Sequence, residues 1–375
     1  MKETILAISV LTTTIVGVGI FGLPYVSAQA GFLLALIMLI VLSGIMLLIH
    51  LYYGEIVLST KEERQFPGYA GQYLGGRAKK IIGIIAVTGF YGTLLAYMII
   101  GGDFLNIIFS PIINLPNFLF SIIFFALAST IICFGIKFIS VFNFLLGLFL
   151  IIIVLFLTVF GFKNIDFNNL SYIHLNNIHA PYGVILFALM GMAVIPEIGE
   201  VLKRDKRNYK KIIIWGTLIP AVLYLLFIFS VVGVSGIKTS PDAISGLLNI
   251  MGKNIVFLGA MLGFMTTFTS YLGLGFALKE TFVHDFRVNR IIALILLFVP
   301  IVLFALDIRN FVLIISIIGA LLGAFECTAI VLIHKKIKLM GNQEPEYRIK
   351  HFKALGVIMI IIFIVGLAYS LLNMI

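Results

Sequence analysis

Thr14-Ile-Val-Gly17-Val-Gly19-Ile-Phe-Gly22-Leu-Pro24 interrupts the first long apolar run of the chain, and Met190-Gly191-Met-Ala-Val-Ile-Pro196-Glu197 interrupts the sixth. In lipid, an unwound segment leaves peptide N–H and C=O groups unpaired, at several kcal/mol each, so it persists only where it is buried or lines a polar cavity. A matched pair of such breaks, five runs apart, points to a transporter with its substrate site near the bilayer midplane.

The rest of the chain agrees with a membrane setting. Of its 375 residues, 61% are hydrophobic and 11% charged, against roughly 25% charged in a soluble domain. Apolar runs of membrane-crossing length are read at about 5–28, 32–58, 80–102, 117–136, 138–161, 181–200, 210–235, 254–279, 290–306, 310–333 and 354–373. The expectation is an all-α integral membrane protein with about 11 transmembrane helices, helices 1 and 6 broken, forming one transporter domain over 1–375. The loops are too short to hold a soluble catalytic or nucleotide-binding domain.

The net charge of +10 is explained by where the basic residues fall. With loops counted on alternate sides, 22 of the 26 Lys and Arg share the side of the N-terminus, leaving Lys163, Lys238, Lys253 and Arg309 opposite. The positive-inside rule then places the N-terminus in the cytoplasm and the C-terminus outside, in a multi-pass plasma-membrane protein. The charge therefore calls for a lipid bilayer and for no nucleic acid. Cys133 and Cys327 lie in apolar runs without CxxC spacing, so neither a disulfide framework nor a metal site is indicated, and both read as small apolar residues. Lys2 and Ala28-Gln-Ala30 imitate a secretory signal, but the apolar stretch between them is too long and too rich in Gly and Pro, so it is expected to remain.

Gly17-Val-Gly19-Ile-Phe-Gly22 also spells G-x-G-x-x-G. The dinucleotide fingerprint needs a preceding strand and an acidic residue about twenty positions on, whereas here the next acid is Glu55. As a helix break the same residues have a direct use. Glycines at 17 and 19 can leave helical dihedrals, and a half-helix restarting near Ile20 would offer free N–H groups and a positive dipole end to a carboxylate. Pro24 is expected in the first turn of that half-helix. Gly191 would end one half of span 6, leaving carbonyls for an ammonium group or a cation, and Pro196 would open the next.

Thr14–Tyr25 resembles the first-helix signature of the amino acid/auxin permease family, in its prokaryotic branch near the hydroxy and aromatic amino acid permeases, within the amino acid-polyamine-organocation superfamily. Leu186–Ile198 with Lys211–Pro220 is similar to that family's sixth and seventh helices, and Thr266–Lys279 to its eighth. The resemblance implies a LeuT-like 5+5 inverted repeat, repeat 1 over about 1–161 and repeat 2 over about 181–333, with an extra helix at about 354–373. It implies secondary active uptake of amino acids. Carried over by position, carboxylate-binding backbone falls on Gly17, Val18 and Gly19 with Thr14 beside it. The opposing wall falls on Leu189, Met190, Gly191 and Met192, and Tyr97 resembles the aromatic position packed on the substrate. The fold's cation site falls between Thr13 and Val16 of span 1 and Thr266, Thr269 and Ser270 of span 8.

Neutral oxygens of that kind suit sodium, a hard cation, although membrane Ser and Thr commonly bond back to their own helix. Proton coupling would need a buried ionisable group. Glu326 in span 10 and Glu197 after the second break are the candidates, while Glu200 with Lys203 and Arg204, and Glu55, read as structural groups at the cytoplasmic end. His174 and His179 read as solvated or capping residues, and the segment 236–249 as either a lid over the external vestibule or a short interfacial helix. No cofactor is called for beyond sodium or a proton as coupling ion, and no catalytic constellation is recognisable, so an enzyme is not expected. The substrate class is a neutral amino acid, aromatic or branched, imported by alternating access. The competing reading is a non-transporting amino acid sensor of the germinant-receptor type.

Overall fold

The computed structural model describes all residues except 1, 63, 135–150, 153, 156–157, 203–205, 286–287 and 373–375. Among the described residues the regular structure is entirely helical. That follows from the composition, since a helix pairs its backbone groups within one segment and needs no water to do so. Among the described residues seven helices are long and apolar enough to cross a bilayer, eight crossings if the pair bent by 52°, Glu3–Ile15 with Gly19–Ala30, is taken as one span. Two shorter apolar helices, Asn117–Cys133 and Arg290–Ala305, stand where spans 4 and 9 were expected. The fifth expected span, 138–161, lies largely outside the described residues.

Span 1 is built from α1 (Lys2–Ile15) and α2 (Gly19–Ala30), followed by α3 (Phe32–Leu58), the short α4 (Phe66–Leu74), α5 (Gly76–Phe109) and α6 (Asn117–Phe134). Gly31 alone separates α2 from α3, and it sits at φ 97° with the Tyr172 carbonyl where a Cβ would be. Only glycine meets both conditions. Span 6 consists of α7 (Ala180–Leu189), a 3-10 turn at Met192–Val194, and α8 (Ile195–Val201). Span 7 is α9 (Tyr209–Ser235) and span 8 is α10 (Lys253–Glu280).

Later spans depart from the expected ones in ways the local sequence explains. Span 9 divides into α11 (Arg290–Leu296) and α12 (Val299–Ala305), with Pro300 in the first turn of the second piece, where its missing N–H does least harm. Span 10 runs on to Met340 as α13 (Phe311–Leu322), a π-helical turn at Gly323–Cys327, and α14 (Thr328–Met340). The last span is α15 (Lys353–Leu372). Large apolar side chains such as Ile40, Ile84, Ile361 and Val365 remain exposed on the outer surface, as expected of faces that meet lipid tails.

The centre of the bundle is where α1 packs on α9, α2 on α7 and α9, and α7 on α13. Gly183 and Gly319 draw α7 and α13 together, since a Cβ on Gly183 would overlap the Ser316 carbonyl and one on Gly319 the Gly183 carbonyl. Small residues permit this approach in membranes, where packing rather than solvent exclusion holds helices together. Cys327 is free and buried with its sulfur 3.9 Å from that of Met46, and Cys133 is free and exposed.

Candidate functional site at the helix breaks

The helix of α1 stays regular through Ile15 and releases at Val16–Val18. Val16 N–H still donates to Thr12 O at 2.8 Å, Gly17 N–H turns back to Ile15 O at 2.7 Å, and Ile20 N–H reaches Gly17 O at 3.3 Å. Neither Gly17 nor Gly19 has a positive φ, and Val18 between them is right-handed at φ −60°, ψ −22°. What these glycines supply is closeness. A Cβ on Gly17 would lie 3.2 Å from the Tyr97 hydroxyl, and one on Gly19 only 2.7 Å from Ala188 Cα. The half-helix restarts at Gly19, so Pro24 falls in its second turn rather than its first.

Tyr97 projects from α5 onto this break, buried, with its hydroxyl set against Gly17. One side chain of span 3 thereby reaches the break in span 1. Thr14 is placed differently from expectation. It is exposed and donates to Val10 O at 2.9 Å, because the still-regular helix offers the carbonyl four residues back. Thr13 likewise donates to Val10 O at 3.1 Å, and Thr269 to Met265 O at 3.0 Å and Thr266 O at 3.1 Å. Of the expected cation ligands, Val16 and Thr266 are buried, and the Thr266 hydroxyl has no hydrogen-bond partner.

In span 6 the helix ends at Leu189, Met190 is extended at ψ 123°, and Gly191 adopts φ −142°, ψ 9°. Leu189, Gly191 and Met192 are buried, and Met190 is partly so. Gly191 faces α1, since a Cβ there would meet Ile15 Cγ1 at 2.5 Å and Leu11 Cδ1 at 3.3 Å. The two breaks therefore lie in contact, with Gly19 against Ala188 on one side and Gly191 against Ile15 on the other.

The residue that ties them was not foreseen. Tyr224 of α9 is fully buried, with its hydroxyl 2.6 Å from Ile15 O and 2.7 Å from Ala188 O. These are carbonyls in the last turns of α1 and α7, where a helix has no i+4 donors to offer them; Ile15 O also accepts from Gly17 N–H. One hydroxyl proton can serve only one of them at a time. With 14 tyrosines in the chain, nothing local marks this one.

Glu326, expected as a proton carrier, is half-buried in the π-helical turn of span 10, a device that recurs at functional positions. Glu197 is on the exposed side of α8, turned away from the buried interior, because Pro196 and Ile198 on either side of it take the buried positions. The pairing expected of Glu200 with Lys203 and Arg204 lies outside the described side chains.

On the side opposite the N-terminus, a cavity of about 750 Å³ is walled by Tyr25, Asp103, Asn117, His179, Pro241 and Arg309 among others. Asp103 accepts from Asn117 Nδ2 at 2.6 Å. None of the cradle residues at 17–19 lines this cavity. His179, at the N-cap position of α7 without a side-chain capping bond, is thus a wall residue, edge-on to Tyr369 at 6.0 Å. Within 236–249, Thr239, Asp242, Ala243, Ile244 and Leu247 are buried, so this segment is packed into the bundle and is not a free interfacial helix. Among the described residues no group of three His, Cys, Asp or Glu is arranged to hold a metal ion.

Comparison with known proteins agrees with this arrangement. The chain is 26% identical over 306 residues to glutamine transporter 2 of Aliivibrio fischeri (strain ATCC 700601 / ES114), covering 77% of each. It superposes on the crystal structure of MhsT in complex with L-phenylalanine with a TM-score of 0.60 at 17% identity, over 97% of this chain and 98% of that one. The likeness gives it the LeuT-like fold of a membrane transporter. The model of the tryptophan/tyrosine permease family matches residues 1–372, and the chain belongs to that family of amino acid permeases.

Proposed function

We propose that this protein is a secondary active importer of neutral amino acids, aromatic or branched, driven by a sodium or proton gradient through alternating access. The observation that carries the reading is the contact between the two breaks, with the Tyr97 hydroxyl set against Gly17 and the Tyr224 hydroxyl on the Ile15 and Ala188 carbonyls. The carboxylate is bound by main-chain N–H groups at Gly17, Val18 and Gly19, and Tyr97, whose hydroxyl lies against Gly17, is the side chain beside it. The ammonium group faces the carbonyls at the end of α7. A relative described as a glutamine transporter and a solved neighbour bound to L-phenylalanine both support a neutral substrate. The unpartnered Thr266 hydroxyl beside Ser270 supports a cation at that level.

On the same reading, spans 1–5 and 6–10 are inverted repeats, the family sits in the amino acid-polyamine-organocation superfamily, and the basic end of the bundle is cytoplasmic. The test is uptake of labelled amino acids into proteoliposomes under imposed sodium or pH gradients. Gradient-driven accumulation of a neutral amino acid is the expected result. Absence of uptake for all twenty, with binding retained in a thermal-shift assay, would turn the assignment to a sensor.

A further inference from the structure

A second buried polar cluster lies far from the breaks, at the basic end of the bundle. Glu55, 2% exposed near the end of α3, accepts from His334 Nε2 at 3.0 Å and from the Ile349 main-chain N–H at 2.7 Å, both on Oε2. His334 of α14 is fully buried and stacks on Tyr52 at 3.7 Å between ring centres. Its other nitrogen, Nδ1, lies 3.0 Å from Nδ1 of His351. The segment 341–352, between the last two spans, is thus fastened across α3 and α14. Tyr347 donates to Leu51 O at 2.7 Å and Asn342 N–H to Ser59 O at 3.1 Å, and Asn342 Oδ1 accepts from Lys61 N–H at 2.8 Å. A cavity of about 360 Å³, lined by Glu55, Lys338, Glu344 and Arg348, brings the carboxylate to the surface.

Hydrogen-bond valence limits the protons this cluster can hold. Glu55 accepts two donors, so His334 carries a proton on Nε2. Its Nδ1 then either accepts from His351 or, with His334 charged, donates to it. Either state keeps one proton between the two facing nitrogens. With both imidazoles charged, two N–H groups oppose each other at the same 3.0 Å and the contact fails. The surrounding charges act in the same sense. Burial, followed by His334, Lys338 and Lys335, holds His351 below the ordinary imidazole value of 6.5. The remaining charged and titratable neighbours are Tyr52 and Glu55 on α3, Tyr209 on α9 beside Tyr347, and Glu344, Arg348 and Lys350 on the segment itself, while Lys336 is occupied with Tyr73 O.

We propose that Glu55, His334 and His351 form a proton-binding latch that holds segment 341–352 over spans 2 and 10 and opens when both histidines are protonated, so that cytoplasmic acid regulates transport. The regulatory consequence rests on the transport reading; the proton site does not. The sign follows from linkage. A histidine lowered in the folded state binds protons more readily once released, so the latched state loses stability as pH falls below 6.5 and is fully present above it.

The experiment is hydrogen exchange of the 341–352 peptide in the purified full chain at about pH 7.5 and about pH 5.5, corrected for intrinsic rates. In the wild type, acid is expected to speed exchange about tenfold. His351→Gln, which cannot become charged, is expected to remove that acceleration, and Glu55→Gln to speed exchange at both pH values. Equal protection of the wild type at both pH values, or an unchanged pH response in His351→Gln, would overturn the proposal. Should a variant fail to fold, the wild-type comparison alone still decides. Uptake with the inner pH lowered supplies the second arm. Acid-dependent exchange without any amino acid uptake would leave the latch standing and reject the transport reading, whereas uptake with pH-independent exchange would do the reverse.

Discussion

At the residue scale, Tyr224 is the side chain on which the geometry of the breaks most depends. It is buried and within 2.7 Å of two helix-end carbonyls, and among the described hydrogen bonds it is the only partner of Ala188 O. Removing the donor leaves a buried acceptor unpaired, worth about 1–3 kcal/mol. Tyr224→Phe is therefore expected to lower amino acid uptake about tenfold, the equivalent of ~1.4 kcal/mol, while the protein remains folded and monodisperse. Uptake at the wild-type rate in proteoliposomes would show that the hydroxyl is dispensable. Gly19, by contrast, does not isolate the cradle. A side chain there meets Ala188 Cα at 2.7 Å, so Gly19→Leu would displace a half-helix before any question of carboxylate binding arose.

At the scale of elements, α7 and α13 are held at backbone contact by glycines. Ala at Gly183 or Gly319 would place a Cβ on a main-chain carbonyl of the facing helix, and overpacking of this kind costs about 1–3 kcal/mol. Both variants are expected to lower the thermal unfolding midpoint. Gly44→Ala on α3 is the control, because nothing lies within 4 Å of the added atom and Ala is the better helix former. Equal midpoints for Gly319→Ala and Gly44→Ala would remove close packing as the reason for Gly319. The same contacts explain the reading of glycines in span 1. Their density marked the break correctly, and the structure adds close approach to what these glycines supply. In the bundle the breaks are held by Tyr224 and the facing half-helix, and the glycines are needed for approach.

For the molecule as a whole, the basic residues predict orientation. With 22 of 26 Lys and Arg on one side, the N-terminus is expected inside and, after eleven spans, the C-terminus outside. Protease added to intact cells is expected to remove an epitope appended after Ile375 and to spare one placed before Lys2. The opposite pattern would mean that the charge bias had been misread, and cleavage at neither end would mean an even number of crossings. The boundaries of α3 were legible because hydrophobicity is local, and it begins and ends where the apolar run does, at Phe32 and Leu58, whereas α5 extends beyond the expected 80–102 to Gly76–Phe109. Spans 9 and 10 were less so. Pro300 divides one, and the π-helical turn at Gly323–Cys327 inserts into the other without breaking its hydrophobicity.

The sequence by itself determined a helical membrane transporter with two interrupted spans, because lipid admits few backbone solutions and glycine with proline leaves a visible mark on an apolar run. Through resemblance to a known family it also pointed to Gly17 and Tyr97 together, and the Tyr97 hydroxyl lies against Gly17. Only the tertiary structure decided that Tyr224 joins the two breaks, that Thr13, Thr14 and Thr269 spend their hydroxyls on their own helices, and that Glu55 meets a histidine 279 residues away. These are single hydrogen bonds between distant segments. They carry no periodicity and need no particular neighbours in sequence, so nothing short of the packed bundle reveals which polar group meets which.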